Sequence, residues 1–218
     1  MHRYVKEPDG TVALYIGAKN WPAPIPLVSK GNVWYFDTEA GMQEILFRRI
    51  GRNEMSAIQI CRELAAAQKE FSQEEHEYAQ KLFSDEGEHN GLYWETSGKQ
   101  AESPIGPLVA RADTDGYAVK RGAAIPYRGY FFRILTGQGK NAPGGAKSYI
   151  ATGKMTGGFA FVAYPAEYRS SGVKTFLVRT DGVVFEKDLG KNTEALARSM
   201  KRFNPDSTWQ TTQEQGEP

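Results

Sequence analysis

The run RRIGRNE at residues 48–54 concentrates the side chains in this sequence best suited to holding a ligand. On a helix Arg48 and Arg52, four residues apart, share one face, Arg49 and Asn53 share the next, and Glu54 follows. Planar guanidinium groups present paired N–H donors that match the two oxygens of a carboxylate, phosphate or sulfate. Arg48, Arg52, Asn53 and Glu54 are therefore the candidate ligand-binding residues. Trp94, from a later loop around residues 84–107, is added as an aromatic wall. The competing reading is structural, because Glu44 stands four residues before Arg48 and an i, i+4 ion pair needs no ligand. The structural reading is the stronger of the two.

Other candidates carry less. GQGKNAPGGAKS has the glycine content of a phosphate cradle, but Ala146 and not glycine precedes Lys147, and the following residues lead to a strand where a P-loop needs a helix. It reads as an inter-strand loop. Cys61 sits on an apolar stripe, where a thiol is inert. His76 and His89, among Glu75, Glu77, Asp85, Glu86 and Glu88, lack ligand spacing and read as a solvated charged face. Asp181 belongs to a turn and Asp188 ends a strand, so paired-carboxylate catalysis has no visible partners. Tyr93, Trp94, Tyr127, Tyr130 and Tyr168 either line a groove for a sugar or peptide or pin long loops to the body, the second being favoured. No catalytic residue, metal site or cofactor motif is assigned.

The elements that must position these residues centre on residues 37–71, DTEAGMQEILFRRIGRNEMSAIQICRELAAAQKEF. Ile50, Ala57, Cys61, Leu64 and Phe71, with Ile58 and Ala65 beside them, recur at the spacing of one buried helical face. Asp37 and Thr38 suit the first turn as caps. Gly51 predicts either a bend or a second helix capped by Asn53, and Ser72 with Glu75 predicts a further short helix through Leu82 and Phe83. Around this core the sequence predicts a strand at residues 11–17 and a hairpin of 25–29 with 33–36. Four meandering strands follow at about 129–137, 158–164, 174–179 and 183–187, and a last helix at 193–203 buries Leu196, Met200 and Phe203. The fold class is α+β, a long helix on an antiparallel meander of about four strands, with an N-terminal hairpin and a C-terminal helix. One domain over residues 1–210 is expected, with a core of 53–72 and 129–190 and a disordered tail at 211–218.

Bulk composition bounds the function. With 27 Lys and Arg against 26 Asp and Glu, the formal charge of +1 does not favour nucleic acid or an anionic membrane. One cysteine excludes an internal disulfide. No apolar run is long enough for a transmembrane segment, and MHRYVKEPDG lacks the apolar centre of a signal peptide.

Taken together, WPAPIPLV, WYFDTEAG, RRIGRNE, GLYW, GYFFRILTGQG, APGGA, GGFAFVAYPAEY and SGVKTFLVRTDGVVFEKDLG resemble a bacterial family catalogued as Domain of Unknown Function 2950. The resemblance covers nearly the whole chain. It implies an envelope location, periplasmic or secreted, and leaves the activity open; members typically carry an export signal and a further N-terminal region. More distantly, RNEMSAIQICRELAAAQKEF and the hairpin after YPAEY resemble the helix and final strands of type IV pilin-like and pseudopilin proteins, which implies an α/β roll. The apolar polymerising half-helix of those proteins is replaced here by DTEAGMQEILFRRIG. These resemblances lead to the expectation of a non-catalytic envelope protein, binding or assembling with another envelope protein or a cell-wall or glycan component through surface loops. The alternative is a hydrolase-like enzyme or anion binder working at the arginine cluster.

Overall fold

A computed structural model describes residues 1–95, 102–115 and 126–212. The chain divides into two compact units, Met1–Arg52 and Asn53–Pro218. The helix α1, Thr38–Glu75, contributes its residues up to Arg52 to the first unit and the remainder to the second.

The N-terminal unit is built on β1 (His2–Lys6), β2 (Val12–Ile16), β3 (Trp21–Pro22), β4 (Leu27–Lys30) and β5 (Val33–Phe36). These form an antiparallel sheet in the order β1-β2-β4-β5, with β3 also paired to β2. The expected hairpin is present: Lys30 pairs with Val33, and Gly31, at φ 62, makes the turn. The strand β1 was not anticipated, because HRYVK alternates a single weak apolar pattern. Asp37 caps α1, its Oδ1 accepting the amide of Ala40 at 3.1 Å, as its position predicts.

Gly51 does not divide the helix, which is assigned as one element to Glu75. A Cβ built at Gly51 meets nothing within 4 Å. Gly51→Ala is therefore expected to stabilise the protein by about 1 kcal/mol, read as a rise in the urea midpoint at unchanged m-value.

The C-terminal unit contains β6 (Lys81–Phe83), β7 (Gly91–Tyr93), α2 (Gly106–Thr114), β8 (Tyr130–Leu135), β9 (Gly137–Gln138), β10 (Lys147–Ser148), β11 (Ile150–Ala151), β12 (Lys154–Met155), β13 (Ala160–Pro165), β14 (Lys174–Arg179), β15 (Val184–Asp188), α3 (Thr193–Ser199) and β16 (Gln210–Thr211). Its main sheet is antiparallel in the order β16-β15-β14-β13-β8. The four predicted strands are all there, and the expected count is corrected to five by β16, whose Thr211 falls in the expected tail. Residues 213–218 of that tail lie outside the described residues.

The second part of α1 presents Ala57, Ile60, Cys61, Leu64, Ala65, Gln68 and Phe71, all buried, in helical register. Its apolar members share one core with the interior strand β13, whose six residues are all buried. Two further expectations are corrected. Past Glu75 the chain forms the strand β6, paired parallel to β7, where a capped helix was expected. Serine 72 has no helix to cap because α1 has not yet ended. The last helix stops at Ser199 and buries Ala197, leaving Leu196 exposed. Arg133 explains the stop: its Nη2 donates to the carbonyls of Ala197 and Met200 at 2.7 and 2.6 Å.

Candidate functional site

The RRIGRNE run straddles the two units, and its members have separate tasks. In the N-terminal unit Arg48 bonds Glu44 through Nε at 2.7 Å and donates from Nη1 to the carbonyl of Pro22 at 2.6 Å. Its guanidinium lies 5.6 Å from the ring centroid of Trp21. The planar fork that suits an anion is thus set against a helix carboxylate and a proline-rich loop. These groups border a cleft of about 380 Å³ with Tyr15, Pro24 and Pro26. Arg49 and Arg52 are also engaged by partners.

In the C-terminal unit Asn53 and Glu54 act together on one loop. Asn53 Nδ2 donates to the carbonyl of Ser171 at 2.8 Å. Glu54 Oε1 accepts the amides of Val173 and Lys174 at 2.8 and 3.0 Å, fixing the entry to β14. Charge-assisted bonds to a half-buried carboxylate are stronger than neutral ones. Glu54→Ala is expected to destabilise the protein by about 2 kcal/mol, measured by urea unfolding, because two amides at the strand entry lose their acceptor.

Trp94 is placed elsewhere. It is buried, stacks on His89 with centroids 4.4 Å apart, and borders a cavity of about 530 Å³ with neither Asn53 nor Glu54 in its wall. Two of the other aromatic candidates act as anchors: Tyr130 is fully buried and donates to the carbonyl of Lys174, while Tyr168 donates to Asp188. Asp188 also accepts the amide of Gly190, and Asp181 that of Val183, so both serve turns.

The glycine-rich loop owes its form to a residue that spacing did not single out. Gln138, buried on β9, donates from Nε2 to the carbonyls of Pro143 and Gly145 at 2.8 and 2.7 Å, and accepts from the hydroxyl of Tyr149. The loop turns carbonyl oxygens inward. A phosphate cradle needs amides there, so the polarity is reversed.

Cys61 is fully buried, and burial pushes its thiol from 9.0 up to about 12. Native protein should resist thiol labelling at pH 8 and react only when unfolded. The folded thiol holds its proton while the unfolded one releases it, so stability falls as pH rises from 9 towards 12, by up to about 1.4 kcal/mol per pH unit. Buried Tyr130, also raised, adds a loss of the same sign above pH 10.0. Urea midpoints between pH 8 and 11 should decline less steeply in Cys61→Ala than in the parent.

A family model described as Protein of unknown function (DUF2950) matches residues 1–212. The chain belongs to that family. No curated protein and no solved structure matches it. In this DUF2950 chain no helix among the described residues is long and apolar enough to cross a membrane. Family membership names no substrate, so what the chain does has to be argued from its surfaces.

Proposed function

We propose that this DUF2950 chain is a non-catalytic binding or assembly protein of the bacterial envelope, periplasmic or secreted. Its partner is an extended apolar strand of another envelope protein, taken up by the edge of the N-terminal sheet. The observation that carries this reading is β5. It ends the sheet, and among the described residues no strand pairs with its outer side. Lys30 and Val33 close the hairpin, and the amide of Asp37 bonds the carbonyl of Pro26. Antiparallel alternation therefore turns the N–H and C=O groups of Val33 and Tyr35 towards β4 and those of Trp34 and Phe36 outward.

All four residues of β5 are exposed, at 65% for Val33, 54% for Trp34, 49% for Tyr35 and 50% for Phe36. Within the strand no charge or proline guards the edge, the usual protection against added strands. Main-chain bonds to Trp34 and Phe36 would supply affinity, and the alternating aromatic side chains specificity. In the C-terminal unit, α1 packed in one core with β8, β13, β14 and β15 supports the finer pilin-like reading of that unit.

The test compares the parent with Trp34→Ser/Phe36→Pro, since a proline at 36 removes an outward amide and spares the ladder to β4. Binding to purified envelope proteins should weaken at least about tenfold in the variant at unchanged melting temperature. Light scattering that shows self-association lost in the variant would make a second copy the source of the strand. Turnover of a cell-wall or glycan substrate by the pure protein overturns the proposal, as does unaltered binding by the variant.

A further inference from the structure

We infer that the outer face of the N-terminal sheet is covered by the same face of a second copy of this chain, making a twofold dimer. The inference concerns the face of the sheet and leaves the edge of β5 open in both copies, so it stands or falls apart from strand uptake.

Strand pairing fixes which side chains share that face. Side chains alternate along a strand, and directly paired residues point the same way. His2 pairs with Ile16, Tyr4 with Leu14, Val12 with Leu27, Ser29 with Trp34 and Leu27 with Phe36. Tyr4, Leu14, Ile16, Leu27, Trp34 and Phe36 therefore stand on one side. The opposite side belongs to α1, since Ala13 and Tyr15 border a cleft with Ala40, Glu44 and Arg48. The first side is open: Tyr4 is 60% and Ile16 44% exposed, beside the half-exposed rings of Trp34 and Phe36.

The unit also lacks a core of its own. In Met1–Arg52 only Gly41 and Ile50 are buried, and the buried apolar cluster of the protein begins at Ala57. Of the exposed large apolar side chains among the described residues, all but Met55, Val183 and Leu196 lie in this unit. A small sheet needs a covered apolar face to be stable, and an open one of this extent marks a surface of association.

Area and charge select the occupant. Covering the exposed parts of Tyr4, Ile16, Trp34 and Phe36 and the margins of Leu14 and Leu27 removes on the order of 600 Å² per copy, about 1,200 Å² in all, the lower end of what a specific interface buries. Lys6 is the only charged strand residue on this face, so the face has no electrostatic complement to seek and matches itself. A single lysine is too little to hold a surface to anionic lipid, where each contributes about 1 kcal/mol. The formal charge of +1 leaves two copies with almost nothing to repel. Two such faces pack as a sandwich with strand directions about 30° apart. The twofold axis makes every contact twice.

The experiment is sedimentation of the whole chain across a concentration series. The mean mass should rise from 24.3 kDa towards twice that value, with a dissociation constant in the micromolar range, and the association should persist in high salt. Tyr4→Glu/Ile16→Glu, on β1 and β2 and away from β5, should weaken it at least about tenfold. Tyr4→Thr/Ile16→Thr, which keeps strand propensity, makes the same test if the glutamates unfold the sheet. Met42→Glu, on exposed α1, should leave the association unchanged. A monomer at every concentration overturns the inference, and its co-sedimentation with phosphatidylglycerol vesicles would give the face to lipid. Association unaltered in the folded threonine variant overturns it too and would assign self-association to another surface, the β5 edge included. Equal loss in Met42→Glu overturns it as unspecific apolar contact.

Discussion

Gln68→Leu is expected to destabilise the protein by about 4 kcal/mol, the largest effect of any single substitution considered. Gln68 lies on the buried stripe of α1 and is fully enclosed. Its Nε2 donates to the carbonyl of Ala79 and its Oε1 accepts the amide of the same residue, both at 2.8 Å. One side chain thus satisfies both backbone groups of a residue that is itself buried. Leucine fills the volume and leaves both without a partner, at about 1–3 kcal/mol each. For a unit of this size the loss corresponds to a melting temperature lower by roughly 8–16 °C. Gln68→Glu keeps an acceptor for the Ala79 amide, and in this enclosed place its carboxyl is held neutral and can donate its proton to the Ala79 carbonyl. It should fall between parent and leucine in a calorimetric comparison.

Gly172→Ala should cost about 3 kcal/mol, and for a steric reason. A Cβ at residue 172 would lie 2.2 Å from the Tyr130 hydroxyl oxygen and 2.6 Å from Cζ. The ring has nowhere to go: it is fully buried, packs against Phe176, and its hydroxyl is bonded to the carbonyl of Lys174. Tyr130→Phe relieves the shortest contact and leaves the second. The double variant Gly172→Ala/Tyr130→Phe should therefore be more stable than the sum of the single effects predicts, by about 1 kcal/mol in a double-mutant cycle. Strict additivity would mean that the segment around Gly172 is displaced as a whole and the ring is not what the added methyl strikes.

Gln68 and Gly172 are residues that the sequence does not flag, and the reason is instructive. The stripe Ala57, Cys61, Leu64, Phe71 declares itself because apolar periodicity is a local signal, and so do the Gly31 hairpin turn and the run GFAFVAY of β13. Gln68 in the same stripe reads as an interruption of the pattern, since its partner is backbone rather than a complementary side chain. Gln138 is hidden in the same way, among glycines that draw attention to themselves. The site residues divide similarly. The Glu44–Arg48 pair follows from i, i+4 spacing. By contrast, the bonds of Asn53 and Glu54 reach main chain more than a hundred residues away, which no spacing encodes. The helix α2 and the strands β6 and β7 are short, and tertiary contacts decide such pieces more than propensity does.

The placement of β16 bears on how the chain comes off the ribosome. The strands of the N-terminal sheet are neighbours in sequence, so that sheet can close while the rest is still being made. The C-terminal sheet has its outer strand at Gln210–Thr211, beside β15, and the helical stripe that starts at Ala57 is buried against strands that begin only at Tyr130. For the time needed to synthesise some seventy residues, at about 5–20 residues per second, that stripe stands without its cover. Several seconds of exposed Ile60, Leu64 and Phe71 make the nascent helix a natural client for a chaperone that holds apolar segments. Chains truncated before β13 should be the ones that aggregate.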